Sequence, residues 1–166
     1  MSLRQQIQED INKAIKAGRE TECSVLRMLS ASIANREKEK RYKLSKTEQN
    51  LKPEELEEKS HLSDEEVIQL IQSEIKKRKE AVSGFEKADR VDLVEKERKE
   101  IEILESYLPE QLSEQEIERL AKAVIERIGA KEPKDIGRVM KELMPEIKGK
   151  APGGEVSRIV KKMLGK

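Results

Sequence analysis

Between Asp135 and Lys166, two segments of one pattern flank a basic, glycine-rich turn, and nothing else in the chain restricts its fold as tightly. Ile136, Val139, Met140, Leu143 and Met144 in the first, and Val156, Ile159, Val160, Met163 and Leu164 in the second, each make an apolar stripe at about 100° per residue. Arg138 and Lys141, then Arg158, Lys161 and Lys162, fall on the opposite sides. The pattern predicts two helices that pack by one side and show a charged side to solvent, with Lys148 and Lys150 on the turn between them. Such a surface suits binding, and it contains none of the groups expected of a reaction centre.

The helical period runs through the rest of the chain. Ser2 with Gln5 reads as a capping box, Leu3, Ile7, Ile11, Ala14 and Ile15 as an inward stripe, and Gly18 as a stop. A second helix is expected from near Thr21, with Val25, Leu26, Leu29 and Ile33 inward and a charged continuation, Asn35 to Lys46, that frays or projects. Residues 43–62 read as a mobile connection with a short helical turn at 53–59. Ser63 with Glu66 opens a third helix, with Val67, Ile68, Ile71, Ile75, Val82 and Phe85 inside and Arg78 outside. A fourth runs from Arg90 or Val91 to Ser106 with Leu93, Val94, Ile101 and Leu104. Pro109 disfavours helix at Leu108, and Ser113 with Glu116 caps a helix over Glu114–Ile128 that Gly129 ends. Strand signals are essentially absent. The expected fold is all-α, with an N-terminal helical domain over 1–108 and a C-terminal three-helix domain over 109–166.

With 42% charged and 2% aromatic residues, the chain lacks the material for a large, deep core. Its net charge of +1 is unevenly placed: residues 133–166 hold nine Lys or Arg against four Asp or Glu, which leaves the other residues at −4. That excess points an anionic partner to the C-terminal end. One cysteine, Cys23, excludes an internal disulfide and fits a reducing compartment. No apolar run approaches the roughly 20 residues of a membrane span, and the start MSLRQQIQED lacks a signal-peptide stretch, so a cytoplasmic location is expected.

An enzyme needs a nucleophile, a base or a metal set. His61, the sole histidine, falls in the connection and reads as a solvated loop residue. Cys23 has no histidine close in sequence and reads as a small helix residue. The carboxylates Glu54, Glu55, Glu57, Glu58, Asp64, Glu65 and Glu66 read as solvated groups and as favourable charge at helix starts rather than a cation site. Gly149, Gly153 and Gly154 match neither nucleotide fingerprint. They leave two readings open: a plain inter-helix turn, or backbone N–H groups that hold a phosphate with Lys148 and Lys150. Gly137, at the edge of a stripe, is expected to permit close helix packing. With Tyr42, Phe85 and Tyr107 as the only aromatics, base stacking is disfavoured and any nucleic acid would be held by charge and shape. No catalytic residue, metal or cofactor is assigned.

Three motifs carry a resemblance: R-x-DLV-x-K-E at Arg90 to Glu97, YLPEQLSE at Tyr107 to Glu114, and G-R-V-M with KGKA at Gly137 to Met140 and Lys148 to Ala151. With them, nearly the whole chain resembles the bacterial YqeY, or GatB/YqeY-like, family; only the connection around Lys43 to His61 is longer than usual. The resemblance implies an all-helical protein whose C-terminal domain is similar to the tail of the GatB subunit of tRNA-dependent amidotransferase, a module that helps hold tRNA while amide transfer occurs elsewhere. It implies a non-catalytic tRNA-associated module, with Lys134, Arg138, Lys141, Lys148, Lys150, Arg158, Lys161 and Lys162 as candidate phosphate contacts. The alternative is a protein-interaction adaptor for an amidotransferase or an aminoacyl-tRNA synthetase. A contribution to carbon-nitrogen ligation with glutamine as amide donor is the weakest reading, since no part of the chain matches a catalytic body.

Overall fold

Three helices begin where a Ser-x-x-Gln/Glu spacing places them. In each of Ser2, Ser63 and Ser113 the hydroxyl accepts from the backbone N–H three residues on, and the side chain at that position accepts in return. The computed structural model describes residues 1–48 and 50–165. Among them it is all-α: α1 Leu3–Lys16, α2 Glu20–Thr47, α3 Pro53–Ser60, α4 Asp64–Lys87, α5 Val91–Glu105, α6 Glu114–Ile128, α7 Ile136–Ile147 and α8 Gly153–Leu164, with a 3-10 turn over Pro133–Asp135 before α7. Gly18 and Gly129 follow α1 and α6 at φ 66° and 65°, a left-handed conformation that glycine adopts without cost. No helix among the described residues is long and apolar enough to cross a membrane.

The chain divides into two compact units, Met1–Tyr107 and Leu108–Lys166. In the first, α1 packs on α2 and α4 on α5, with further contacts of α2 to α3, α4 and α5. Its core holds Ile7, Ile11, Val25, Leu26, Leu29, Ile33, Val67, Ile71, Ile75, Val94, Ile101 and Leu104. Ile15 departs from the expected inward stripe; it sits at the stripe's edge and is 49% exposed. Cys23 is a buried packing residue between α1 and α2.

Arg78 is the larger correction. It is expected outside, yet its guanidinium is among the least exposed charged groups of the unit: Nε donates to Glu100 at 3.1 Å and Nη1 to Glu74 at 3.2 Å, with Glu97 at 4.0 Å. Position 78 shares its helical angle with Ile71, Ile75 and Val82, so the helix turns it inward whatever its charge. Desolvation opposes ionisation of Glu74, and the cations Lys77 and Arg78 outweigh it and hold the carboxyl below its usual range.

Residues 43–62, expected as a connection, contain the last turn of α2 and the whole of α3; Gln49 lies outside the described residues. The helices are tied by Arg41 to Glu57 at 3.4 Å and Lys59 to Glu48 at 2.7 Å. His61 is an exposed residue between α3 and α4, as expected, and it is also hydrogen-bonded. Arg4 Nη1 donates to its Nδ1 at 2.9 Å and lies 3.4 Å from Glu37 Oε1, which accepts the Leu62 N–H. Nδ1 also lies 3.3 Å from Glu37 Oε1, so Arg4, His61 and Glu37 form one cluster. At the far end of the unit the Tyr107 hydroxyl donates to Asp10 at 2.9 Å; burial, then the Asp10 charge, holds that phenol well above the ordinary range.

Candidate nucleic-acid interface

The second unit is built from the two matched stripes and a third from α6. Val139, Leu143 and Ile147 of α7, Val156, Ile159, Val160 and Leu164 of α8, and Ile117, Ala121 and Val124 of α6 are buried together. The nine Val, Leu and Ile side chains among them, at roughly 1.5–3 kcal/mol each before entropy is subtracted, make this a sufficient core for a small unit. Packing the apolar sides leaves the eight candidate cations exposed.

The turn between α7 and α8 has a defined backbone. Gly149 is left-handed at φ 81°, Lys150 N donates to Ile147 O at 2.9 Å, and Ala151 is buried. The segment before α6 clamps it: the Gln111 side-chain amide donates to Gly149 O at 2.9 Å, and Leu112 N to Lys150 O at 2.8 Å. Thus YLPEQLSE and KGKA, distant in sequence, form one joint. Gln111 and Leu112 were not among the expected site residues; the proximity of the two motifs in space is the signal a sequence does not print. Gly153 and Gly154 open α8 as its first two residues, and no side chain caps that start.

The eight cations are not equivalent. Lys134 pairs with Glu132 at 2.6 Å, Arg138 with Asp135 at 3.5 Å and Arg158 with Glu114 at 3.3 Å. Asp135 also accepts from the N–H groups of Lys131 and then Glu132, which hold its carboxyl below the usual range. Lys141, Lys150, Lys161 and Lys162 are exposed and have no ion pair among the described residues. Lys148 is exposed as well. On α7 the charges sort by edge: Glu142 and Glu146 share one edge and pair with Arg127 of α6, while Lys141 falls away from it, and Lys148 follows as the first residue past the helix. Lys166, counted in the positive excess, lies outside the described residues.

Gly137 does not serve close packing. A Cβ built there meets nothing within 4 Å, and the residue is exposed on the first turn of α7. Among the described residues no group of three or more His, Cys, Asp or Glu is placed to hold a metal ion.

Fold and surface together define a two-unit, all-helical protein whose small C-terminal module shows lysines from two helices and a clamped turn. Residues 34–164 match the model of the Yqey-like protein family, and the chain belongs to that family. It is 30% identical over 163 residues to altered inheritance of mitochondria protein 41, mitochondrial, of Pyrenophora tritici-repentis, a match spanning 96% of this chain and 79% of that protein. An uncharacterized protein of Schizosaccharomyces pombe is 45% identical over 51 residues, 31% of this chain and 42% of its own.

Proposed function

We propose that the protein is a non-catalytic, tRNA-associated binding module of the Yqey-like family, and that its second unit holds RNA phosphates. The observation that supports this most is the set Lys141, Lys150, Lys161 and Lys162, exposed and without a carboxylate partner among the described residues. They fall where the sequence has its positive excess, nine Lys or Arg against four Asp or Glu over residues 133–166, and so leave a field for an anion. Lys148 belongs to the same surface, and the uncapped start of α8 adds backbone donors next to it in sequence. Lys134, Arg138 and Arg158 contribute less, because a phosphate must displace Glu132, Asp135 and Glu114 first. The resemblance to the tail of GatB makes tRNA the polyanion of choice, and the reading assigns no bond-making step to this chain. A cytoplasmic location is part of the proposal; the Pyrenophora tritici-repentis relative carries "mitochondrial" in its name, which makes a mitochondrial one the alternative.

Lysine footprinting tests the assignment. Acetylation of the full chain with and without tRNA should show protection at Lys141, Lys150, Lys161 and Lys162 and unchanged reactivity at Lys76 and Lys79 of α4. Equal reactivity at all sites, or protection confined to the first unit, contradicts it.

A further inference from the structure

The first unit carries a second surface, independent of the lysines of α7 and α8. α2 buries Val25, Leu26, Leu29, Ile33 and Glu37 on one side. On the opposite side, Arg27, Ala31, Ala34, Lys38, Tyr42 and Ser45 follow one another at intervals of four, three, four, four and three residues, and all are exposed. That spacing is the one by which a helix meets another helix along its length. Ala31 and Ala34 bring no bulk to the seam and so admit an axis at about 8 Å.

Large apolar groups stand in solvent at both ends. Met28 is 45% exposed and Ile15 49%; they border a shallow groove of about 570 Å³ between α1 and α2. Tyr42 is 65% exposed, about 21 Å further along the helix. From Arg27 onward the charges on this side are of one sign; Glu20, exposed one heptad before Arg27, lines the groove at the near end. Arg27 and Lys38 have no ion pair among the described residues, and Lys46 lies over the Tyr42 ring at 5.4 Å. From Arg27 to Lys46 no carboxylate falls on the stripe; Glu39, at its edge, is taken by Arg36 at 3.1 Å. Three cations over about 28 Å are sparse beside a nucleic-acid duplex with one charge per about 1.7 Å, and a single tyrosine gives no stacking platform. Apolar anchors with small residues between them fit a protein.

We propose that the outer face of α2 docks an acidic amphipathic helix of a partner protein. The partner's apolar seam lies along Ala31 and Ala34, its ends reach the Ile15–Met28 groove and Tyr42, and its flanking carboxylates face Arg27, Lys38 and Lys46. This differs from an adaptor that offers acidic groups to a basic partner, the polarity that net charge by itself favours for the N-terminal part.

The probe is a synthetic helical peptide of about 21 residues with Leu at the seam positions and Glu beside them, titrated into the isotope-labelled full chain and followed by amide shifts. A twin with Lys in place of Glu and an RNA hairpin are run alongside. The expected result is that the acidic peptide shifts the amides of residues 24–46, and that Lys38→Glu with Lys46→Glu weakens its binding about tenfold. Ala34→Arg, which puts bulk in the seam, should abolish the shifts. All three sites are exposed, and an unchanged circular dichroism spectrum reports that the variants fold. The proposal is overturned if the acidic peptide leaves α2 unmoved, if the basic twin binds as well, or if the RNA hairpin shifts the stripe more strongly than the peptide.

Discussion

Arg78 shares its angle on α4 with Ile71, Ile75 and Val82, and Glu97 sits in the middle of the inward face of α5, so part of the interface between these helices is ionic. Replacing Arg78 by Met keeps the bulk and leaves three carboxylates facing one another, with Glu100 buried. The expected cost is about 3 kcal/mol, read as a lower urea midpoint, and Glu100→Gln in the same chain should return part of it. Reading Arg78 as an outside residue follows its chemical type; following its angle places it inside, so the information was in the sequence. Two glycines give a contrast of sign. Gly149→Ala forces a side chain into a left-handed backbone and should destabilise by about 1 kcal/mol or more. Gly137→Ala meets open space and should stabilise by about 0.5 kcal/mol, measured by the same unfolding curves.

Helix starts were legible because a cap is local chemistry. Ser2, Ser63 and Ser113 each act within three residues, and the bounds of α6 follow from Ser113 and Gly129 alone. The course of residues 43–62 was not, because what shapes it is distant: Arg41 to Glu57, Lys59 to Glu48, and Lys40 of α2 to Glu66 of α4 at 2.8 Å. Glu66 gives this a pH signature. Lys40 first, then the Ser63 N–H, hold its carboxyl below 4.5, so it releases its proton more readily folded than unfolded. The stability it adds is present above about pH 4.5 and is lost as pH falls through the lower folded value. The difference in urea midpoint between wild type and Glu66→Gln should therefore be larger at pH 6 than at pH 3; an equal difference at both contradicts the assignment.

At the scale of the molecule, charge is arranged by unit. Residues 108–166 carry 13 Lys or Arg against 10 Asp or Glu, a smaller excess than the last helices alone suggest, because α6 brings acids of its own. Ion pairs absorb Lys134, Arg138 and Arg158, and Lys141, Lys150, Lys161 and Lys162 carry the proposed surface. The apolar stripes foretold the helix pair and the positive excess foretold its sign, but which cations stay unpaired depends on side chains that meet only after folding. The measurement that bears most directly on the claim is the salt dependence of tRNA binding. Four neutralised phosphates give a slope of log K against log salt of about −2.8 to −3.6, and Lys161→Ala with Lys162→Ala should flatten it by about 1.4 to 1.8. No binding at about 50 mM salt, or a slope that the double variant leaves unchanged, would contradict the account.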